Sequence, residues 1–270
     1  MADQAGGRGR ALPWGMSVRV LALLVLAAYL VLPPRSLQGK ANLVGFGICH
    51  QYGTRSYFLG GKQLPLCARD TGTYLGALTG AAVILAGKRR RASGLPAAGP
   101  LALFMLGFAF FAIDGLNSYA DVLPIMPQLY TPDNRLRLVS GLFCGIGLAA
   151  VLIPLFNYGV WRDPEPVPIV RWRELAIMLL GTAFAFAAVT AGPAWLYAPL
   201  ALLNAVGVVL VLSTVNGLLA WLLMRREGQG RGWRDVTLIL SLGLLMSAAE
   251  LGGLGYLRYV LQSAAGFSGV

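Results

Sequence analysis

Histidine is almost missing from this 270-residue chain: there is one, His50, beside three cysteines and eleven acidic residues. A single imidazole excludes any centre built on a histidine cluster. No two cysteines stand in a Cys-x-x-Cys pair, so the usual dithiol motif is absent as well. Charge is scarce, at 12% of residues against roughly 25% in soluble domains. The apolar runs do not alternate with polar residues, which excludes the strands of a membrane β-barrel. There is no heptad pattern, lipidation motif or internal repeat. Gly252-Gly253-Leu254-Gly255 lies within an apolar run and follows no strand, so it is not a nucleotide-binding fingerprint.

What the chain has instead is hydrocarbon: 57% hydrophobic residues and a mean hydropathy of +0.66. A bilayer core about 30 Å thick needs roughly 20 apolar residues of helix to cross it. Seven runs approach that length, over 17–33, 71–87, 97–118, 136–160, 174–192, 195–224 and 236–260. The fold class expected is all-α, a polytopic transmembrane helix bundle of about seven spans. Run 17–33 has basic residues before it, as a secretory signal does. Its flank Pro33-Pro34-Arg35-Ser36 offers no small-x-small cleavage site, so it reads as a retained first helix.

The net charge of +11 invites a nucleic-acid reading, which the placement of the charges argues against. Fourteen of the 22 basic residues fall on one side of the expected topology: Arg8, Arg10 and Arg19, then Lys88-Arg89-Arg90-Arg91, Arg162, Arg171, Arg173, Arg225, Arg226, Arg231 and Arg234. By the positive-inside rule that side is cytoplasmic, which puts the N-terminus inside and the C-terminus outside. The partner of these loops is then the headgroup layer of the lipid bilayer, not nucleic acid. Trp14, Trp161, Trp195, Trp221 and Trp233 fall near the span boundaries, where interfacial anchors belong.

Both odd-numbered outer loops carry the unusual residues. Loop 35–70 is too long for a mere connection, and its aromatic residues suggest that it packs on the protein. It holds Cys49, His50, Arg55, Cys67, Arg69 and Asp70. Segment 114–137 contributes Asp114 and Asn117, on one helical face, and Arg135, with Thr131-Pro132 suited to cap the fourth span. The two loops are expected to meet in one outer vestibule.

Three readings of the sulfur-bearing set stand open. Cys49, His50, Cys67 and Asp70 offer the thiolate, imidazole and carboxylate donors that zinc accepts, with Cys67 and Asp70 on one face of a helical turn. Adjacent Cys49 and His50 cannot both ligate comfortably from regular structure, so one of them would support the other. Alternatively Cys49 and Cys67 form a disulfide across the outer loop, or they act as a redox dithiol. Cys144, inside the fourth span, reads as a small core residue. Arg55 and Arg69 suit either a salt bridge or a clamp on an anionic group. Glu250 lies inside the last span, where a carboxylate by default faces a cavity or partner. Gly72, Gly76 and Gly80, with Gly141 and Gly145, mark faces for close helix packing.

The residues Cys49-His50-Gln51, Arg55-Ser56, Gln63-Leu64-Pro65-Leu66-Cys67-Ala68-Arg69, Thr71-Gly72 and Tyr74-Leu75-Gly76 resemble an uncharacterised prokaryotic family of multi-pass membrane proteins with a domain of unknown function. Asp114-Gly115 continues the pattern, and Asn134, Arg135 and Gly141 match it approximately. The resemblance spans about 45–155. It implies the inner (cytoplasmic) membrane of a prokaryote, and a division into a tail (1–16), a family-like four-span region (17–160) and a three-span extension (161–270). The family commonly has Cys-x-x-Cys where this chain has Cys67-Ala68-Arg69-Asp70, so a carboxylate stands in place of a thiol.

Two principal functions follow. One is a binding or transport role around a metal ion, Zn2+ by its ligands. The other is a membrane enzyme acting on a lipid-linked or anionic small molecule, with His50 as general base, Asp114 orienting it and Arg55 and Arg69 as phosphate clamps. A third role, subunit of a membrane complex, would leave the loop a structural element. The residues alone leave the choice open.

Overall fold

The computed structural model describes residues 13–87, 89–120 and 127–264. Arg8, Arg10, Lys88 and most of the N-terminal tail lie outside them. Helix α1 spans Pro13–Val31, α3 Ala68–Ala86, α4 Ala98–Ala120, α5 Asn134–Val160, α6 Trp172–Ala191, α7 Tyr197–Leu223 and α8 Trp233–Ala264. Each overlies one of the seven apolar runs. Among the described residues, all of these except α3 are long and apolar enough to cross a membrane.

The exception, α3, explains the core. It has the length, at 19 residues or about 28 Å of helix, but it carries three threonines, three glycines, Arg69 and Asp70. It does not need a lipid-compatible surface, because α5, α6 and α7 pack around it. Gly72 lies against Leu138 and Leu142, Gly76 against Leu142 and Gly145, and Gly80 against Ile146 and Ala149. Residue numbers rise together along both helices, so α3 and α5 run parallel, and α4, which lies between them in the chain, packs on α5. Side chains on this face would strike backbone: a Cβ on Gly141 would meet the Arg69 carbonyl, and one on Gly145 the Thr73 carbonyl. The small residues noted in the sequence therefore set the spacing of the central pair.

The basic loops gather at one end. Strand β3 (Ala92–Gly94) pairs in parallel with β4 (Glu165–Pro168), and Trp161 bridges to Gly230. Arg19 at the start of α1 donates to the Arg234 carbonyl at 2.7 Å. Asn157 holds the loop after α3 through the carbonyls of Arg90 and Ala92. Two tryptophans expected at the interface are instead buried: Trp161 donates to Asn157 Oδ1 at 3.0 Å, and Trp221 is 2% exposed. The guanidinium of Arg91 lies over Trp161 and that of Arg226 over Trp221, so arginine, rather than open surface, covers these rings. Trp195 and Trp233 are exposed.

At the opposite end the long outer loop is built, not merely folded over. It contains a helix that the sequence reading lacks, α2 (Leu37–Ile48), capped by the Ser36 side chain, which accepts from the Gly39 N–H. A 3₁₀ turn (Gly53–Arg55) and a hairpin follow, β1 (Phe58–Leu59) with β2 (Lys62–Gln63), turning on Gly60 and Gly61 at positive φ. Leu59, Leu64 and Leu66 are fully buried and anchor the loop. Buried Lys40 closes the end of α1 by donating to the carbonyls of Tyr29 and Leu32, the orphan acceptors of a helix C-terminus. The fourth-span cap also differs from expectation. Asp133, not Thr131, caps α5, accepting from Arg135 N–H at 2.5 Å; the helix starts at Asn134, beyond Pro132, and the carboxylate is a stronger acceptor than the threonine hydroxyl.

Candidate functional site

The loop 49–67 is folded so that its two ends touch. Cys49 is the C-cap of α2 and Cys67 the N-cap of α3. The Cys67 N–H donates to Cys49 Sγ at 3.2 Å. Gln51 takes a left-handed turn at φ 57°, uncommon without glycine, and its side chain holds that turn by donating to Pro65 O at 2.9 Å. Gln63 donates back to Gln51 O at 2.7 Å. The loop is thus clamped by two amide side chains at its base.

Here Cys49, Cys67 and Asp70 bring one ligand atom each to within 4.8 Å of one another. Cys49 is buried at 2% exposure, and Cys67 and Asp70 are half-buried. Asp70 sits in the first turn of α3, where the helix dipole favours negative charge. All three cysteines are free, so the Cys49–Cys67 disulfide is not formed. The two thiols share a hydrogen bond that splits their acidities. It holds the Cys49 thiol below its ordinary range, and together with burial and the Asp70 charge it pushes the Cys67 thiol up.

His50 is not part of this group. It is exposed and stacks flat on Tyr52, with centroids 5.4 Å apart. The residue turned inward is its neighbour Cys49, as expected when adjacent residues cannot both face one point.

Asp114 lies in a second cluster. It is completely buried and accepts from Arg69 Nε at 2.9 Å and Nη2 at 2.5 Å on Oδ2, from Tyr130 on Oδ1 at 2.7 Å and from Ser140 at 3.2 Å. Burial and this bond push the Tyr130 phenol up to about 12. Arg69 also reaches Ser118 Oγ at 2.7 Å, and Arg55 reaches the Ser118 carbonyl at 3.4 Å. Asn117 orders the chain at 129–130 through both ends of its amide. The two outer loops therefore meet, with Asn134 donating to Thr54 O as a further tie. Asp114 does not orient His50, however: its lone pairs are taken up by Arg69, Tyr130 and Ser140. The acid–base pairing considered for an enzyme is absent from this geometry.

Sequence reasoning missed part of this cluster. Arg137 is 5% exposed and bonds Asn134 Oδ1 at 3.0 Å, whereas the flagged Arg135 is exposed. Ser118 was findable, four residues beyond Asp114 and so on its face. Arg258 was not. It lies in the last helix yet donates to the carbonyls of Phe46, Cys49 and His50, more than 200 residues away along the chain. Glu250 stands apart from both clusters. It is on the exposed side of the α7–α8 contact, where Asn216 Nδ2 donates to it at 2.9 Å and to Ser247 at 3.1 Å. That amide supplies the partner that a carboxyl group at this depth needs.

Comparison with known proteins bears on the same region. No solved structure matches the chain. An uncharacterized protein of Methanocaldococcus jannaschii is 28% identical over 115 residues, a match covering 43% of this chain and 67% of that protein. The family described as Predicted membrane protein (DUF2085) matches residues 49–151, which begin at Cys49 and take in α3, α4 and most of α5. Over the stretch that holds Cys49, Cys67, Asp70, Arg69 and Asp114, this multi-pass membrane protein is thus similar to a membrane-protein family of unknown function.

Proposed function

We propose that the outward-facing end of this bundle holds a divalent transition metal, zinc by its ligand chemistry, on Cys49 Sγ, Cys67 Sγ and an Asp70 carboxylate oxygen, and that the protein serves a binding or transport role there. The supporting observation is the convergence of those three donors within 4.8 Å. Zinc–sulfur bonds of about 2.3 Å in a tetrahedron require sulfurs about 3.8 Å apart, a small contraction from that arrangement. Thiolates favour zinc over calcium or magnesium, and the eased ionisation of Cys49 supplies the first of them. The Cys67 N–H on Cys49 Sγ is the kind of hydrogen bond that orients a ligand. Three protein donors leave a fourth position for water, since His50 is stacked on Tyr52, and an open position suits exchange of the ion.

The outward assignment rests on charge: the centre lies at the end opposite the arginine-rich loops. Metal analysis of the purified protein tests the proposal. One zinc per chain is expected in the wild type and little in Cys67→Ser. Equal content in both, or none in either after growth with added zinc, contradicts it. Uptake of zinc into proteoliposomes separates transport from binding alone.

A further inference from the structure

Between α1, α2, α7 and α8 runs a groove of about 500 Å³, within the range of small-molecule sites at roughly 300–1,000 Å³. Its walls are almost wholly hydrocarbon, from Val25, Leu43, Phe46, Val209, Leu251 and Tyr256 among others, with Ser247 as a hydroxyl among them. Along α8 it extends from Leu244 to Tyr259, about 22 Å of helix. That carries it from near the middle of a membrane about 30 Å thick to the site end of the bundle. Gly252 and Gly255 line it and give it depth by lacking side chains.

The rim of the groove is charged. Arg258 lies over the ring of Phe46, a lining residue, at 4.1 Å from its centroid. Three of its N–H groups go to the carbonyls of Phe46, Cys49 and His50. A guanidinium has five, so two remain. Among the described residues no carboxylate pairs with it. Tyr256 and Tyr259, exposed, stand at the same level, as aromatic residues do at a membrane interface.

We infer that this groove is a binding site for one anionic phospholipid of the outer leaflet, its acyl chain in the slot and its phosphate on Arg258. A slot open to the membrane and walled by carbon takes up hydrocarbon. A guanidinium with N–H groups to spare and no acid partner selects a phosphate at the head. Because Arg258 also grips the backbone of Cys49 and His50, the bound headgroup would sit beside the thiol centre. The inference stands on the groove and Arg258, independently of any metal.

The test is native mass spectrometry of the full chain released from nanodiscs containing equal phosphatidylglycerol and phosphatidylcholine. Wild type should retain one lipid, with phosphatidylglycerol favoured by about fivefold, the worth of one arginine toward a net-anionic headgroup. Both lipids carry a phosphate, and only phosphatidylcholine offsets it with an ammonium beside Arg258. Arg258→Gln should abolish that preference. Ala248→Trp, which fills the slot from one of its lining positions, should abolish retention, and it decides the matter if Arg258→Gln does not fold. Equal retention of the two lipids by wild type, retention undiminished in Ala248→Trp, or a dimer that covers this face without lipid would overturn the inference. Zinc content, read in the same samples, is expected to be unaltered in Ala248→Trp.

Discussion

Arg69 grips Asp114 with two N–H groups on a single carboxylate oxygen, at 2.9 and 2.5 Å, while the carboxylate is wholly shielded from solvent. The pair joins the first turn of α3 to the outer end of α4, one residue from Asp70. Removing one partner strands a buried charge. Asp114→Ala is therefore expected to cost about 3–5 kcal/mol in denaturant unfolding in detergent. The double change Arg69→Met with Asp114→Ala should cost less than Asp114→Ala alone, because no charge is then left unpaired. A single-variant loss below about 1 kcal/mol, the worth of a solvent-screened pair, would show that water reaches the carboxylate.

A second expectation couples packing to the candidate centre. Gly141 lies against the Arg69 carbonyl, between Cys67 and Asp70 in the chain, so a methyl group there must push the start of α3 away from α5. Gly141→Ala should destabilise the protein by about 1–3 kcal/mol, the range for overpacking. It should also weaken metal binding, although no ligand is changed. Gly232→Ala, where nothing lies within 4 Å of the added Cβ, is the control. Unchanged metal affinity in Gly141→Ala would uncouple the helix pair from the site.

These couplings also mark what the sequence could reveal. Long apolar helices announce themselves by composition, so α1 and α4 to α8 were legible, and with them the sidedness of the arginines. α2 was not, because Leu37–Ile48 is too short for a span and carries Lys40 within it. The parallel pairing of α3 with α5 depends on surfaces far apart in sequence, although the glycines hinted at it. At the site, sulfur and charge stood out against hydrocarbon, and Cys49, Cys67 and Asp70 do come together. His50 stood out equally and faces away: rarity marks a residue but says nothing of its rotamer. Arg258 was beyond reach, since nothing in a helix near the C-terminus signals a contact with the carbonyls of residues 46–50.

The acidities of the two thiols fix how metal binding should depend on pH. Binding requires thiolates. Cys67 is held protonated by its bond to Cys49 and by burial, whereas Cys49 ionises more readily than usual. Metal must displace the Cys67 proton at any pH below its raised range, so affinity rises with pH. Where only that proton is lost, the gain is about tenfold per pH unit, and it steepens toward about a hundredfold once Cys49 is protonated too. Competition titrations against a chelator across about pH 6 to 8 would measure the slope. A flat profile would exclude thiolate ligation.

Sidedness can be checked directly. In whole cells, Lys62→Cys in the hairpin should react with a membrane-impermeant maleimide. Arg231→Cys, at the arginine-rich end, should react only after permeabilisation. The reverse pattern would place the candidate centre in the cytoplasm.

The most direct measurement of the central claim is a cobalt(II) titration of the detergent-purified chain, followed by visible absorption and thiolate-to-cobalt charge transfer. One equivalent should saturate a tetrahedral signal with sulfur character, displaced by zinc. Cys49→Ser and Cys67→Ser should each weaken the charge-transfer band and the double variant should lose it, while Asp70→Asn keeps it at lower affinity. If wild type gives only the spectrum of hydrated cobalt, or if the double cysteine variant retains the full band, then Cys49, Cys67 and Asp70 do not form a metal centre.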